Sequence, residues 1–142
     1  MKWCDRTLVK SPYYYGLCLS EKDFRATLKA NGLTEMEYGE SGLLDKGGAT
    51  VSFYKPSGGQ RLAIVCLGKG HEMLSLAQVY GLLIHEGVHI WQAIREQQRE
   101  AEPSSEYEAY SVQSIATRLM EQYDSWIISG KKKKSKKKGK KK

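Results

Sequence analysis

A chain of 142 residues with 40% hydrophobic content is long enough for one domain with a modest core. The formal charge of +7 does not describe the folded part: ten lysines fall between Lys131 and Lys142, which leaves −3 on the first 130 residues. Contact with nucleic acid or another polyanion is thereby confined to the tail, and a basic surface spread over the domain is excluded.

Cys4, Cys18 and Cys66 are odd in number and form no C-x-x-C pair, which reads as free thiols in a reducing compartment. Residues 1–6 carry no apolar stretch of the kind a secretory signal needs. No apolar run approaches the roughly 20 residues of a membrane span. These features predict a soluble cytoplasmic protein.

In chain order, residues 1–19 are rich in aromatics (Trp3, Tyr13, Tyr14, Tyr15) and read as an irregular or extended segment packed on the body. Ser20 is placed to cap a helix over 21–30, on which Phe24 and Leu28 share a face. Asn31 and Gly32 end it, with the glycine suited to a left-handed C-terminal residue. Residues 34–48 read as loop. Residues 49–54 and 61–67 are β-rich and flank the turn cluster 55–60, which predicts a hairpin.

Ser75 is placed to cap the next helix, whose residues are apolar nearly all round (Val79, Leu82, Leu83, Ile84, Val88, Ile90, Trp91), a pattern of burial. After Pro103, Ser105 with Glu108 fits a capping box and opens a last helix. Its apolar face is formed by Val112, Ile115, Leu119 and Tyr123, and Gly130 marks its end. The tail 131–142 holds only Lys, Ser and Gly, a composition that predicts disorder.

The chemistry concentrates in His85-Glu86-Gly87-Val88-His89. On a helix, imidazoles four residues apart lie on one face and can grip one metal ion. Glu86, next to the first imidazole, is placed to reach a water on that metal. This HExxH arrangement is that of zinc hydrolases, in which two histidines, a third protein ligand and an open water position complete the site.

The following run Glu106-Tyr107-Glu108-Ala109-Tyr110 is similar to the Glu-x-x-Ala-Asp pattern of gluzincins, zincins whose third ligand is a glutamate. Tyr110 stands where that pattern has its aspartate. The segment 83–92 with this run also resembles small zincin-like proteins encoded by bacteriophages. The resemblance spans roughly residues 75–125. It implies His85, His89 and Glu106 as ligands of one zinc ion and Glu86 as general base. On helical geometry Glu108 lies nearer the apolar face than Glu106, so Glu108 stands as the alternative ligand or as a capping residue. Tyr110 and His71 stand with Glu108 as alternative ligands or supporting residues around the metal, and Tyr110, Tyr107 and His71 are candidates for the donor to the oxyanion.

Sixteen residues separate His89 from Glu106. For the second helix to return to the metal, the first must stop between Ile94 and Gln97 and the loop through Pro103 must fold back. The expected architecture is an α+β domain over 1–130: a short antiparallel sheet on an HExxH helix and a following glutamate-bearing helix. The expected function is a zinc-dependent metallopeptidase acting on peptide or protein substrates, in the host cytoplasm if phage-encoded. The alternative is a non-catalytic zinc-binding phage accessory protein whose lysine tail binds nucleic acid or another polyanion.

Overall fold

The computed structural model describes residues 11–34 and 47–138, the last eight as backbone. Trp3, Cys4, most of the loop expected over 34–48 and the last four tail residues lie outside the described residues. Three strands, β1 (Tyr13–Cys18), β2 (Ala49–Tyr54) and β3 (Arg61–Leu67), form one sheet in the order β1-β3-β2. Three helices complete the α+β fold: α1 (Glu21–Ala30), α2 (Leu76–Gln98) and α3 (Ser105–Lys138), with a 3-10 turn at His71–Met73 ahead of α2.

The hairpin β2–β3 is antiparallel, with Val51 opposite Val65. The sheet is mixed, not purely antiparallel, because the tyrosine-rich segment forms a full strand parallel to β3, with Tyr13 opposite Arg61 and Cys18 opposite Cys66. The reason lies in β3. Its run Arg61–Leu67 is buried at six of seven positions, so it must be paired on both edges and covered on both faces.

Strand alternation then sorts the core into two layers. Tyr13, Tyr15, Leu17, Ala63, Val65 and Leu67 face α2 and α3 and meet Leu83, Ile90, Trp91 and Leu119 there. Cys18, Leu62, Ile64 and Cys66 face the other way, against Phe24 and Leu28 of α1. Cys18 and Cys66 are free and buried. A hydrogen bond to Cys18, reinforced by burial, holds the Cys66 thiol far above its ordinary value, so it stays protonated.

Helix ends follow local chemistry. Ser20 accepts from the Asp23 amide at 3.1 Å, and Gly32, at φ +78°, closes α1 as the sequence suggests. Ser75 and Gln78 form a reciprocal capping box at the start of α2. At the start of α3 the cap is Ser104, not Ser105: its hydroxyl accepts from the Tyr107 amide at 3.2 Å. That shift releases Glu108 from any capping duty. Helix α2 ends one residue beyond the expected limit, at Gln98, where Arg99 turns left-handed at φ 57° and the Glu100 amide bonds back to the Arg95 carbonyl at 3.0 Å.

Helices α2 and α3 pack antiparallel. Tyr80 Oη donates to Asp124 Oδ1 at 2.7 Å near one end, and Trp91 Nε1 donates to Glu108 Oε1 at 3.0 Å nearer the other. Between them Gly87 lies against Ile115 and Ala116. Gly130 does not stop α3, whose backbone continues helical to Lys138. Extending a helix that tertiary packing has already nucleated costs little, lysine is a fair helix former, and its charge suits a helix C-terminus. Among the described residues no helix is long and apolar enough to cross a membrane.

Candidate metal centre

The HExxH stretch lies in the middle of α2, and the helix splits its polar residues between two environments. Val79, Leu83, Ile90 and Ile94 turn to the core. His85 and His89 lie on the exposed side, so the expectation of a helix buried all round does not hold there. Glu86 sits at the border of the buried face, 5% exposed. At roughly 100° per residue it is displaced by about a quarter turn from His85, while His85 and His89 are about 40° apart.

The two imidazoles converge. His85 Nε2 and His89 Nε2 are 3.1 Å apart, with the rings nearly perpendicular at 83°. Two nitrogens bound at ~2.0–2.1 Å to one tetrahedral zinc ion stand roughly 3.3 Å apart, so the pair already has the spacing of two ligands. The tautomer of His89 suits that role. His89 Nδ1 lies 3.1 Å from Gln92 Oε1, an acceptor, so Nδ1 carries the hydrogen and the Nε2 lone pair is left free. Without metal, His85 Nε2 then donates to His89 Nε2, so His85 must move that hydrogen to Nδ1 before its Nε2 can ligate. Glu86, next to His85 in the chain, lies on the buried side of that pair.

The candidates for the third ligand are placed elsewhere. Glu108 accepts the Trp91 indole hydrogen and lies 3.9 Å from Arg95. Trp91 is about 200° round α2 from His89, so this carboxylate rests on the other side of the helix. Glu106 is exposed and, two residues from Glu108, occupies the opposite face of α3. Among the described residues no third His, Cys, Asp or Glu joins the pair to complete a metal-holding group. The histidines thus fit zinc, and the run 106–110 as placed does not supply the third ligand.

The candidate oxyanion donors are engaged away from the pair or turned to solvent. Tyr110 is 60% exposed on α3. Tyr107 donates to Gln98 Oε1 at 3.4 Å and packs edge-on against Trp91. His71, at the start of the 3-10 turn ahead of α2, is buried: its Nδ1 lies 3.3 Å from Tyr123 Oη and its ring packs against Trp126. Burial pushes its imidazole below the ordinary value, and the neighbouring Glu72 carboxylate opposes that shift.

One residue that the sequence reading passed over belongs to the site. Gln92 follows His89 by three positions, a spacing that brings side chains together on a helix and that was visible in the sequence. Gln92 also lines a cavity of about 840 Å3 with Tyr13, Phe53, Ala93 and Glu96. Phe53, from the edge strand β2, is 41% exposed there and packs edge-on against Tyr13. Comparison with family models, with curated proteins and with solved structures finds no match to this chain.

Proposed function

We propose that this chain is a zincin-like, zinc-dependent metallopeptidase. The observation that supports the reading is the 3.1 Å approach of His85 Nε2 and His89 Nε2, with His89 Nδ1 tied off by Gln92. His85 and His89 would hold the metal through these nitrogens. Zinc, when bound, supplies an acidified water and a positive charge beside the scissile carbonyl. Glu86, adjacent to His85 in the helix, would serve as the proton acceptor and donor for the water that a bound zinc would supply. The cavity lined by Phe53, Tyr13 and Gln92 would give a substrate side chain a place beside the residue that contacts His89.

The third ligand belongs to the same proposal. Glu106 is first on the gluzincin pattern, and Glu108 is the alternative; as placed, Glu108 is bonded to Trp91 on the far side of α2 and Glu106 is exposed, so either would have to move to reach the pair. Zinc stoichiometry of Glu106→Gln and Glu108→Gln separates them: the ligand's replacement weakens metal retention and the other does not. A cytoplasmic setting fits the free, buried Cys18 and Cys66.

The decisive experiment measures bound zinc and hydrolysis of a casein panel for wild type, Glu86→Gln and His89→Ala. Glu86→Gln keeps zinc and loses at least about 100-fold in turnover, the scale of a lost general base. His89→Ala loses the metal. Turnover by Glu86→Gln equal to wild type overturns the mechanism.

A second reading, a non-catalytic metal-binding accessory protein with a polyanion-binding tail, is favoured by the absence of a third ligand beside the pair among the described residues and by the helical continuation of α3 to Lys138. It requires zinc binding without hydrolysis, together with salt-dependent affinity for duplex DNA that disappears on deletion of 131–142.

A further inference from the structure

We infer that Gln92 is a positioning residue for the metal pair: its side-chain carbonyl fixes His89 in the tautomer and ring orientation that present Nε2 to the ion. The inference rests on the metal-binding reading above and adds to it a residue that neither the HExxH spacing nor the glutamate pattern includes.

The argument starts from imidazole itself. A neutral ring has one N–H and one lone pair, and only the lone pair ligates. A histidine on an exposed helix face is free to exchange tautomers with water and to rotate about its side-chain bonds. Ligating histidines are therefore commonly anchored through the other nitrogen, and loss of such an anchor weakens metal affinity by about 10–100-fold. Here His89 is exposed, and the anchor is the Gln92 Oε1 contact at 3.1 Å, made within the same helix. His85, His89 and Gln92 follow one another along one stripe of α2, so the anchor needs no loop to arrive and no second helix to pack.

The amide also has a chemical virtue. It accepts the Nδ1 hydrogen without adding a charge to a site that already contains Glu86. Because Gln92 also lines the cavity with Phe53 and Ala93, an occupant of that cavity meets the side chain that orients His89.

The test uses the full chain with Gln92→Met, which keeps the length and removes the acceptor, and Gln92→Glu, which keeps it. Long-range nitrogen–proton spectra of the imidazoles at about pH 8, above the ordinary histidine pKa, read the tautomer without metal. Wild type and Gln92→Glu hold His89 with hydrogen on Nδ1, and Gln92→Met shifts it to the Nε2–H form. Competition of zinc against a chromophoric chelator gives a loss of about 10–100-fold for Gln92→Met and none for Gln92→Glu. An unchanged tautomer in Gln92→Met overturns the inference, as does unchanged zinc affinity in that variant. Failure of wild type itself to bind zinc overturns the metal-binding reading instead, and the tautomer measurement still decides the role of Gln92.

Discussion

The two sides of α2 are built on opposite terms. The side against α3 is closed: Trp91 is buried and bonded to Glu108, Tyr80 is bonded to Asp124, and Gly87 lets Ile115 and Ala116 come close. The other side is open: His85 and His89 face solvent, and their polar contacts stay within the helix. The contrast teaches that this helix draws its place in the fold from one face and its chemistry from the other. The exposed histidines can then change without unseating the helix, and core side chains cannot.

The largest expected effect tests that separation directly. Trp91→Ala removes a large buried side chain and leaves Glu108 without its donor, and should cost about 3–5 kcal/mol in denaturant unfolding. His85→Ala, measured metal-free, should stay within about 0.5 kcal/mol of wild type. Comparable losses for the two would break the comparison.

A smaller effect comes from His71, outside both faces. Its imidazole is held below its ordinary value by burial, so the unfolded chain takes up a proton at higher pH than the folded one. Stability is therefore full above the unfolded value of about 6.5 and declines as pH falls from there through the folded value. His71→Gln should flatten this part of the profile of unfolding free energy against pH. An unchanged slope would show that another group titrates there.

The smallest effect sharpens the comparison between the faces. Gly81 lies on the exposed side with nothing within 4 Å of an added Cβ, whereas a Cβ on Gly87 would meet Ile115 Cγ2 at 3.5 Å and the Ala116 backbone at 3.6 Å. Gly81→Ala should stabilise by up to about 1 kcal/mol through helix propensity alone. Gly87→Ala, which adds ordinary van der Waals contact, should do no worse. A loss at position 87 with a gain at 81 would mean that α3 packs more tightly than these distances imply.

Local signals are legible in the sequence at close to residue level. Ser20, Gly32 and Ser75 are caps whose chemistry involves neighbours within a few positions, and the turn after Tyr54 joins strands that pair immediately. Ser104 displaced Ser105 as the cap of α3 by one position, which is the scale at which adjacent serines compete. The parallel β1 was less legible. Its partner β3 lies more than 40 residues downstream, and three adjacent tyrosines mask the alternation that marks a strand.

Sequence alone determined that two imidazoles stand four residues apart on a helix, because 3.6 residues per turn makes such neighbours inevitable. It likewise determined the hairpin, through turn chemistry that acts over a few bonds. Only the tertiary structure decided which side of α2 meets water and that Glu108, already nearer the apolar face on helical geometry, is bonded to Trp91 away from the histidines. It also decided that a buried central strand takes a parallel partner. These outcomes depend on which surfaces cover one another, and burial is a property of the assembled chain rather than of any window of residues.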